Sequence, residues 1–281
     1  MLAFTAACQG GSSPPADGGP PRVVATLHPV ASMVRSIAGG AVETRTLLPP
    51  GAHADAFEAT PQLAESLRRA QLVVRVGGAA DAWLGAVEAV PEVVLTDGLR
   101  LPGERGPGTG NPHVWLDPIL VRDSLLPRIT DALVRVAPDS ASGIRRRSAA
   151  FRDSLTALDG EIRVILAGAS NRRFVAAHPA WVFFAARYDL EQVGVLHPSP
   201  GVEPGARALA RLVDEARDRG VAAVIAEPQL GTSGVDALAE ELDARVEVAD
   251  PVGGEGVPGR GDYLSLMRYT ARAFARALGA S

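Results

Sequence analysis

The segment from Pro138 to about Leu166 constrains this chain more than any other. Its apolar residues Ile144, Phe151, Leu155, Leu158, Ile162 and Ile165 follow one another at steps of 7, 4, 3, 4 and 3. That spacing puts them on one face of a helix. A helix of this length runs on the order of 40 Å, long enough to cross from one domain to another. A chain of 281 residues has room for two domains. The sequence therefore divides into an N-terminal stretch and tether over 1–21, one body over 22–137, a linker helix over 138–167, and a second body over 168–281.

Both bodies read as strand, loop and helix in alternation. In the first, strands are expected at Arg22–Leu27, Glu43–Leu48, Leu72–Val76 and Val93–Leu95. Helices are expected from Val30 to Ile37, from Thr60-Pro61 onward, from Asp81 to Ala89, and from Asp117-Pro118 onward through Leu120, Leu125, Ile129 and Leu133. Thr60 and Asp117 are N-cap residues, and a proline follows each at the first helical position. In the second body, strands are expected at Arg173–Ala177, Val193–Leu196, Val221–Ala226 and Val246–Ala249. Helices follow at Trp181–Tyr188, Ala206–Arg219, Val235–Leu242 and Tyr263–Leu278. Short apolar strands alternating with helices imply parallel sheets covered on both faces, so the fold class is α/β, with two parallel-sheet lobes joined by one long helix. No internal sequence repeat accompanies this alternation.

Composition removes several functions. The formal net charge of -4 lacks the basic face of a nucleic-acid binder. All 28 basic residues are Arg, so chemistry that needs a lysine is absent. The one cysteine, Cys8, excludes an internal disulfide and a multi-cysteine zinc site. It follows Thr5-Ala6-Ala7 and precedes a Gly-, Ser- and Pro-rich run to Pro21, which reads as a flexible tether. Small residues before a cysteine and a tether after it resemble the cleavage box of a bacterial lipoprotein, although the seven residues before Cys8 hold no full signal. Lipidation at Cys8 and an exposed thiol without function are both open. No later apolar run approaches the ~20 residues that span a bilayer.

The chemistry concentrates at strand ends. His178 follows the Arg173–Ala177 strand, Glu227 follows Val221–Ala226, and Asp250 follows Val246–Ala249. His53 and Asp55 lie in the loop after the second strand, and His113 lies in the loop after the fourth. Ligands of open parallel sheets bind outside the carboxyl ends of the strands. Imidazoles and carboxylates converging there make a transition-metal site. His28 also follows a strand but has no carboxylate beside it in sequence, so it reads as structural or cleft-lining, as does Glu227 in the cleft. His197, before Pro198, reads as a turn residue. Glu58 sits where a helix dipole favours a carboxylate. Trp83, Trp115 and Trp181 read as packing residues.

These segments resemble the zinc- and manganese-binding solute-binding proteins of bacterial metal ABC importers, the cluster with a rigid helix between two lobes. Gly51-Ala-His-Ala-Asp-Ala-Phe-Glu-Ala-Thr-Pro61 is similar to the first metal loop of that family. Asn111-Pro-His-Val-Trp-Leu-Asp-Pro118 is similar to the second, and Ala177-His-Pro-Ala-Trp-Val-Phe-Phe-Ala-Ala-Arg-Tyr188 to the third. Glu227-Pro-Gln229 and Ala249-Asp-Pro-Val252 resemble the last two. The resemblance spans roughly residues 22 to 280, and the Pro138 helix falls where the linker helix of the family falls. It implies His113, His178 and Asp250 as metal ligands.

The first loop departs from the pattern. Asp55 stands where a histidine is common, and His53 lies two residues earlier. Either residue completes the set, and the reading leans to His53 because a third imidazole suits zinc. The His-rich insertion frequent in the family is missing from Leu99–Asn111. The resemblance further implies Zn2+ as cargo, with Mn2+ the alternative. It implies a membrane permease with its ATPase as partners, a monomer in the periplasm or at the cell surface, and no enzyme. It also implies that the linker helix limits hinge opening, so that release proceeds by smaller loop or lobe shifts. Two other readings compete: a zinc hydrolase using Glu227 or Glu58 as base, which lacks any supporting motif, and an adhesin or scaffold holding metal structurally.

Overall fold

The computed structural model describes residues 19–54, 57, 60–85, 90–105, 109–198, 204–230 and 233–280, the side chains of Gln62 and Ser233 excepted. The expectations for Cys8, Asp55 and Glu58 lie outside the described residues.

The first sheet contains β1 (Arg22–Ala25), β2 (Glu43–Thr46), β3 (Leu72–Arg75) and β4 (Glu92–Val94), all parallel, in the order β2-β1-β3-β4. Helices α1 (His28–Ala38) and α2 (Pro61–Arg68) lie between its strands. Helices α3 (Pro118–Leu120) and α4 (Leu126–Val136) follow, joined by a π-turn at Val121–Leu125. The long helix α5 is Ala141–Leu166. Beyond it come β5 (Arg173–Ala176), α6 (Val182–Arg187), β6 (Glu191–Val195), α7 (Ala206–Asp218), β7 (Ala223–Ala226), α8 (Ser233–Leu242), β8 (Arg245–Val248) and α9 (Tyr263–Ala277). The second sheet is also parallel throughout, in the order β6-β5-β7-β8.

The two sheets therefore have the same strand order, with each sheet's first strand second from the edge. In such a sheet the chain reverses its direction of travel between the first and third strands, and their carboxyl ends flank the ligand crevice. That places one crevice at β1 and β3, and another at β5 and β7.

Alternation along the strands explains the layers. Val23 and Ala25 of β1, with Phe174 and Ala176 of β5, face one continuous core. Val24 of β1 faces a smaller cluster under α2, and Val175 of β5 faces another under α7 and α8. The continuous core runs through both lobes, with α5 packed against α1, α4 and α9. The buried face of α5 is Ile144, Phe151, Leu155, Leu158, Ile162 and Leu166. The expected stripe ends on Leu166 instead of the half-buried Ile165, because Leu166, four residues after Ile162, shares its helix face.

Over its described residues, the helix expected from Asp81 to Ala89 is not formed. Over Gly78–Leu84 the chain makes 3-10 turns interrupted at Asp81, where φ is -142°. The Asp81 carboxylate turns back to accept hydrogen bonds from Val76 N and Gly77 N, and that local bonding competes with a regular helix. Residues 86–89, the rest of that expected helix, lie outside the described residues. Asp117 performs as expected, its Oδ1 accepting from Ile119 N and Leu120 N at the start of α3. Thr60 precedes α2 but makes no side-chain cap bond. Among the described residues no helix is long and apolar enough to cross a membrane.

Candidate metal centre

In the second lobe the site is built directly on strand ends. His178 stands two residues past β5 and Glu227 one residue past β7, so both lie at the crevice where the strand order reverses. Both side chains are buried. The Nδ1 of His178 lies 2.8 Å from Glu227 Oε1 and 2.9 Å from Oε2. A buried carboxylate accepting from Nδ1–H fixes the tautomer, which makes Nε2 the atom that faces a cation. Burial pushes the Glu227 carboxyl above its ordinary range, while the adjoining imidazole of His178 pulls it back down.

The first lobe supplies its imidazoles from loops. His53 lies beyond β2, past the Pro49-Pro50 turn and Gly51 (φ 79°). His113 lies well beyond β4, immediately before the Val114–Leu116 turn. Its Nδ1 lies 2.9 Å from Asn111 Oδ1, which also accepts the His113 backbone N–H at 3.1 Å. Asn111 thus does for His113 what Glu227 does for His178. Its amide reaches further, donating to Pro179 O at 2.6 Å. One side chain therefore orients the His113 ring and holds the backbone beside His178 in the other lobe.

The three imidazoles converge. The ring centroids of His53 and His178 are 5.0 Å apart, and those of His113 and His178 are 4.9 Å apart, all edge-on. Ligand atoms of His53, His178 and Glu227 all lie within 4.8 Å of one another. Nitrogens on a tetrahedral zinc sit roughly 3.3 Å apart, so small side-chain adjustments would bring this cluster onto one ion. A set of neutral imidazoles with a buried carboxylate behind one of them suits a borderline-soft divalent metal.

Asp250, two residues past β8, is also buried. Its oxygens are engaged within its own lobe by Gln229, Val252, Gly253 and Arg260. His28 opens α1 and is buried beside a cavity of about 430 Å³ lined by Arg35, Thr44, Arg45, Thr46 and Glu255. Burial and then Arg35 lower its pKa. It lines this cavity and stands apart from the described imidazole cluster. Trp115 and Trp181 are fully buried, and Trp115 Nε1 donates across the cleft to Pro251 O at 2.7 Å.

Three supporting residues escape sequence reasoning. Asn111 was visible only as the first residue of a matching motif. Arg187, whose guanidinium makes two 2.8 Å bonds to Asp117 from the other lobe, looked like any helix-end arginine. Arg260 lies in a Gly-rich segment with no pattern at all.

Known proteins resemble this chain over nearly its whole length. Residues 23–277 match the family model described as zinc-uptake complex component A, periplasmic. The chain is 27% identical to the high-affinity zinc uptake system protein ZnuA of Paracoccus denitrificans, over 98% of this chain and 97% of that one. It is 25% identical to the zinc-binding lipoprotein AdcA of Streptococcus pneumoniae, over 89% of this chain and 54% of that longer protein. A crystal structure of a ZnuA deletion mutant with zinc bound superposes with a TM-score of 0.80 at 28% identity, covering 92% of this chain and 98% of that one.

Proposed function

The chain belongs to the family of periplasmic zinc-uptake component A proteins, and on that premise we propose that it captures a divalent transition metal outside the cytoplasm and delivers it to an ABC importer. Zinc is the cargo and manganese the alternative. The observation that carries this reading is the meeting of His53, His113 and His178, with Glu227 fixing the third ring. His53, rather than Asp55, supplies the first-loop donor. Residues 22–137 and 168–281 act as the two lobes, with 138–167 as the linker between them.

The mechanism follows from how each ring is held. The His178 ring is oriented before any ion arrives, because its partner Glu227 is buried at a strand end. The His113 ring is oriented by Asn111. The His53 ring approaches from a loop. Ion capture therefore needs little rearrangement on one side of the cleft and modest loop adjustment on the other. Family membership argues for binding without turnover, and for a membrane permease and its ATPase as partners. The chain acts as a monomer and is tethered through a lipid on Cys8.

Metal content and chelator competition on the stripped protein test this reading. One zinc per chain is expected, with a large affinity loss in His53→Ala and none in Asp55→Ala. Absence of stoichiometric metal in the wild type would overturn it. A mass increase on membrane-extracted protein that Cys8→Ser abolishes would establish the tether.

A further inference from the structure

Asp250 is held at both of its oxygens by groups of its own lobe. Its Oδ1 accepts Gln229 Nε2 at 2.9 Å, Val252 N at 3.0 Å and Gly253 N at 2.9 Å, and its Oδ2 accepts Arg260 Nη1 at 2.7 Å. Three donors crowd Oδ1, and the Arg260 guanidinium holds Oδ2 as an ion pair. Both side chains are largely buried, Asp250 at 4% exposure and Arg260 at 19%.

The segment between them is shaped to bring Arg260 back. Gly254 N donates to Arg260 O, and Arg260 N donates to Val257 O. Gly253 has φ +65°, and a Cβ there would stand 2.7 Å from Arg260 O, so glycine permits this return. The guanidinium then lies 4.7 Å over the Tyr269 ring of α9. Four donors, a close backbone approach and a stacked ring hold one ion pair.

We propose that Arg260 is a specificity-determining residue: by holding Asp250 it withdraws the carboxylate from the ion and leaves a nitrogen donor set of His53, His113 and His178. The inference rests on the metal-capture reading and names the cargo class more narrowly. Imidazole sets suit zinc, nickel and copper, whereas carboxylate-rich sets suit manganese and magnesium. Moving Asp250 onto an ion would leave the Arg260 charge largely buried without its counter-ion, which is costly. Negative charge reaches the ion through the His178 ring from Glu227 instead.

The test uses the full chain stripped of metal, with zinc and manganese affinities measured by chelator competition in the wild type, Arg260→Gln, Asp250→Asn and the double variant. Arg260→Gln should tighten manganese by about tenfold while zinc moves little, and Asp250→Asn added to it should erase that gain. Cobalt absorption should report a rise in coordination number in Arg260→Gln alone. With Arg260 intact, Asp250→Asn should change zinc affinity by less than about tenfold, below the 10–100-fold that even a residue supporting a ligand costs. A loss of about tenfold or more in that variant would overturn the proposal. Unchanged manganese affinity in a folded Arg260→Gln would overturn it as well. Arg260→Met, which keeps its stem against Tyr269, repeats the measurement if the glutamine variant melts early. Failure of the capture reading looks different: the wild type itself would hold no stoichiometric metal.

Discussion

At the crevice of the second sheet, between β5 and β7, stand His178 and Glu227; at the matching crevice of the first, between β1 and β3, stand Thr26 and Asp81. Asp81 is fully buried, like Glu227, but its partners are all structural. It accepts from Thr26 Oγ1 at 3.1 Å, Val76 N at 2.6 Å, Gly77 N at 3.1 Å and Arg75 Nε at 3.3 Å. Gly77 has φ +102°, and a Cβ there would collide with Thr96 and Val94. One crevice is thus closed by the protein's own donors, while the other presents an imidazole. The same topology buries a carboxylate in each lobe, and the difference lies in what that carboxylate holds.

That contrast can be broken by substitution. The largest effect is expected from Asp81→Ala, which leaves the Val76 and Gly77 amides unpaired and takes from Arg75 one of its two carboxylate partners. It should cost about 3–5 kcal/mol of stability, read by denaturant unfolding, with zinc affinity per folded molecule unchanged. A shift in affinity would mean that the first crevice contributes to the site after all. His178→Ala should instead lower zinc affinity by more than about a hundredfold, beyond what a merely supporting residue costs. Its metal-free form should also melt earlier, because buried Glu227 loses its imidazole partner.

Glu227→Gln comes next. It keeps an acceptor for His178 Nδ1–H but removes the charge, and zinc competition should show a loss of about 10–100-fold. Asn111→Ala should fall at the lower end, about tenfold, since Asn111 orients His113 with a neutral amide. The smallest effect is expected at His28. Its folded pKa lies below the ordinary 6.5, so the unfolded chain binds the proton more readily. Stability is then full above that value and declines as pH falls through it toward the folded pKa. His28→Gln should flatten this part of the profile in unfolding measured from pH 7.5 down to 5, and an unchanged slope would remove His28 as its source. The groups facing it are Arg35, Glu255 and Asp250.

The α/β alternation, the long helix and the strand-end positions of His178, Glu227 and Asp250 were legible in the sequence because periodicity and turn residues report them directly. The strand order was not, since nothing local records which parallel neighbours pair. Asp81 illustrates a second limit. Its apolar surroundings read as helix, and only the fold places Val76 N and Gly77 N within its reach. At the site, residue type and spacing pointed to His53, His113 and His178. The roles of Glu227 and Asn111 depend on contacts made across 49 residues and 68 residues of chain respectively. Arg260 reaches Asp250 through a return bend that Gly253 permits, which no motif announces.

The continuous core has a consequence for how the molecule comes apart. Leu155, Leu158 and Ile162 of α5 are wholly buried in a cluster that includes β1 residues on one side and β5 residues on the other. Neither sheet can melt alone without baring part of that shared seam. Despite its two sheets, the chain should therefore behave as one cooperative unit. In native-state hydrogen exchange, the slowest amides of β1 and β5 should open together, at the free energy of global unfolding.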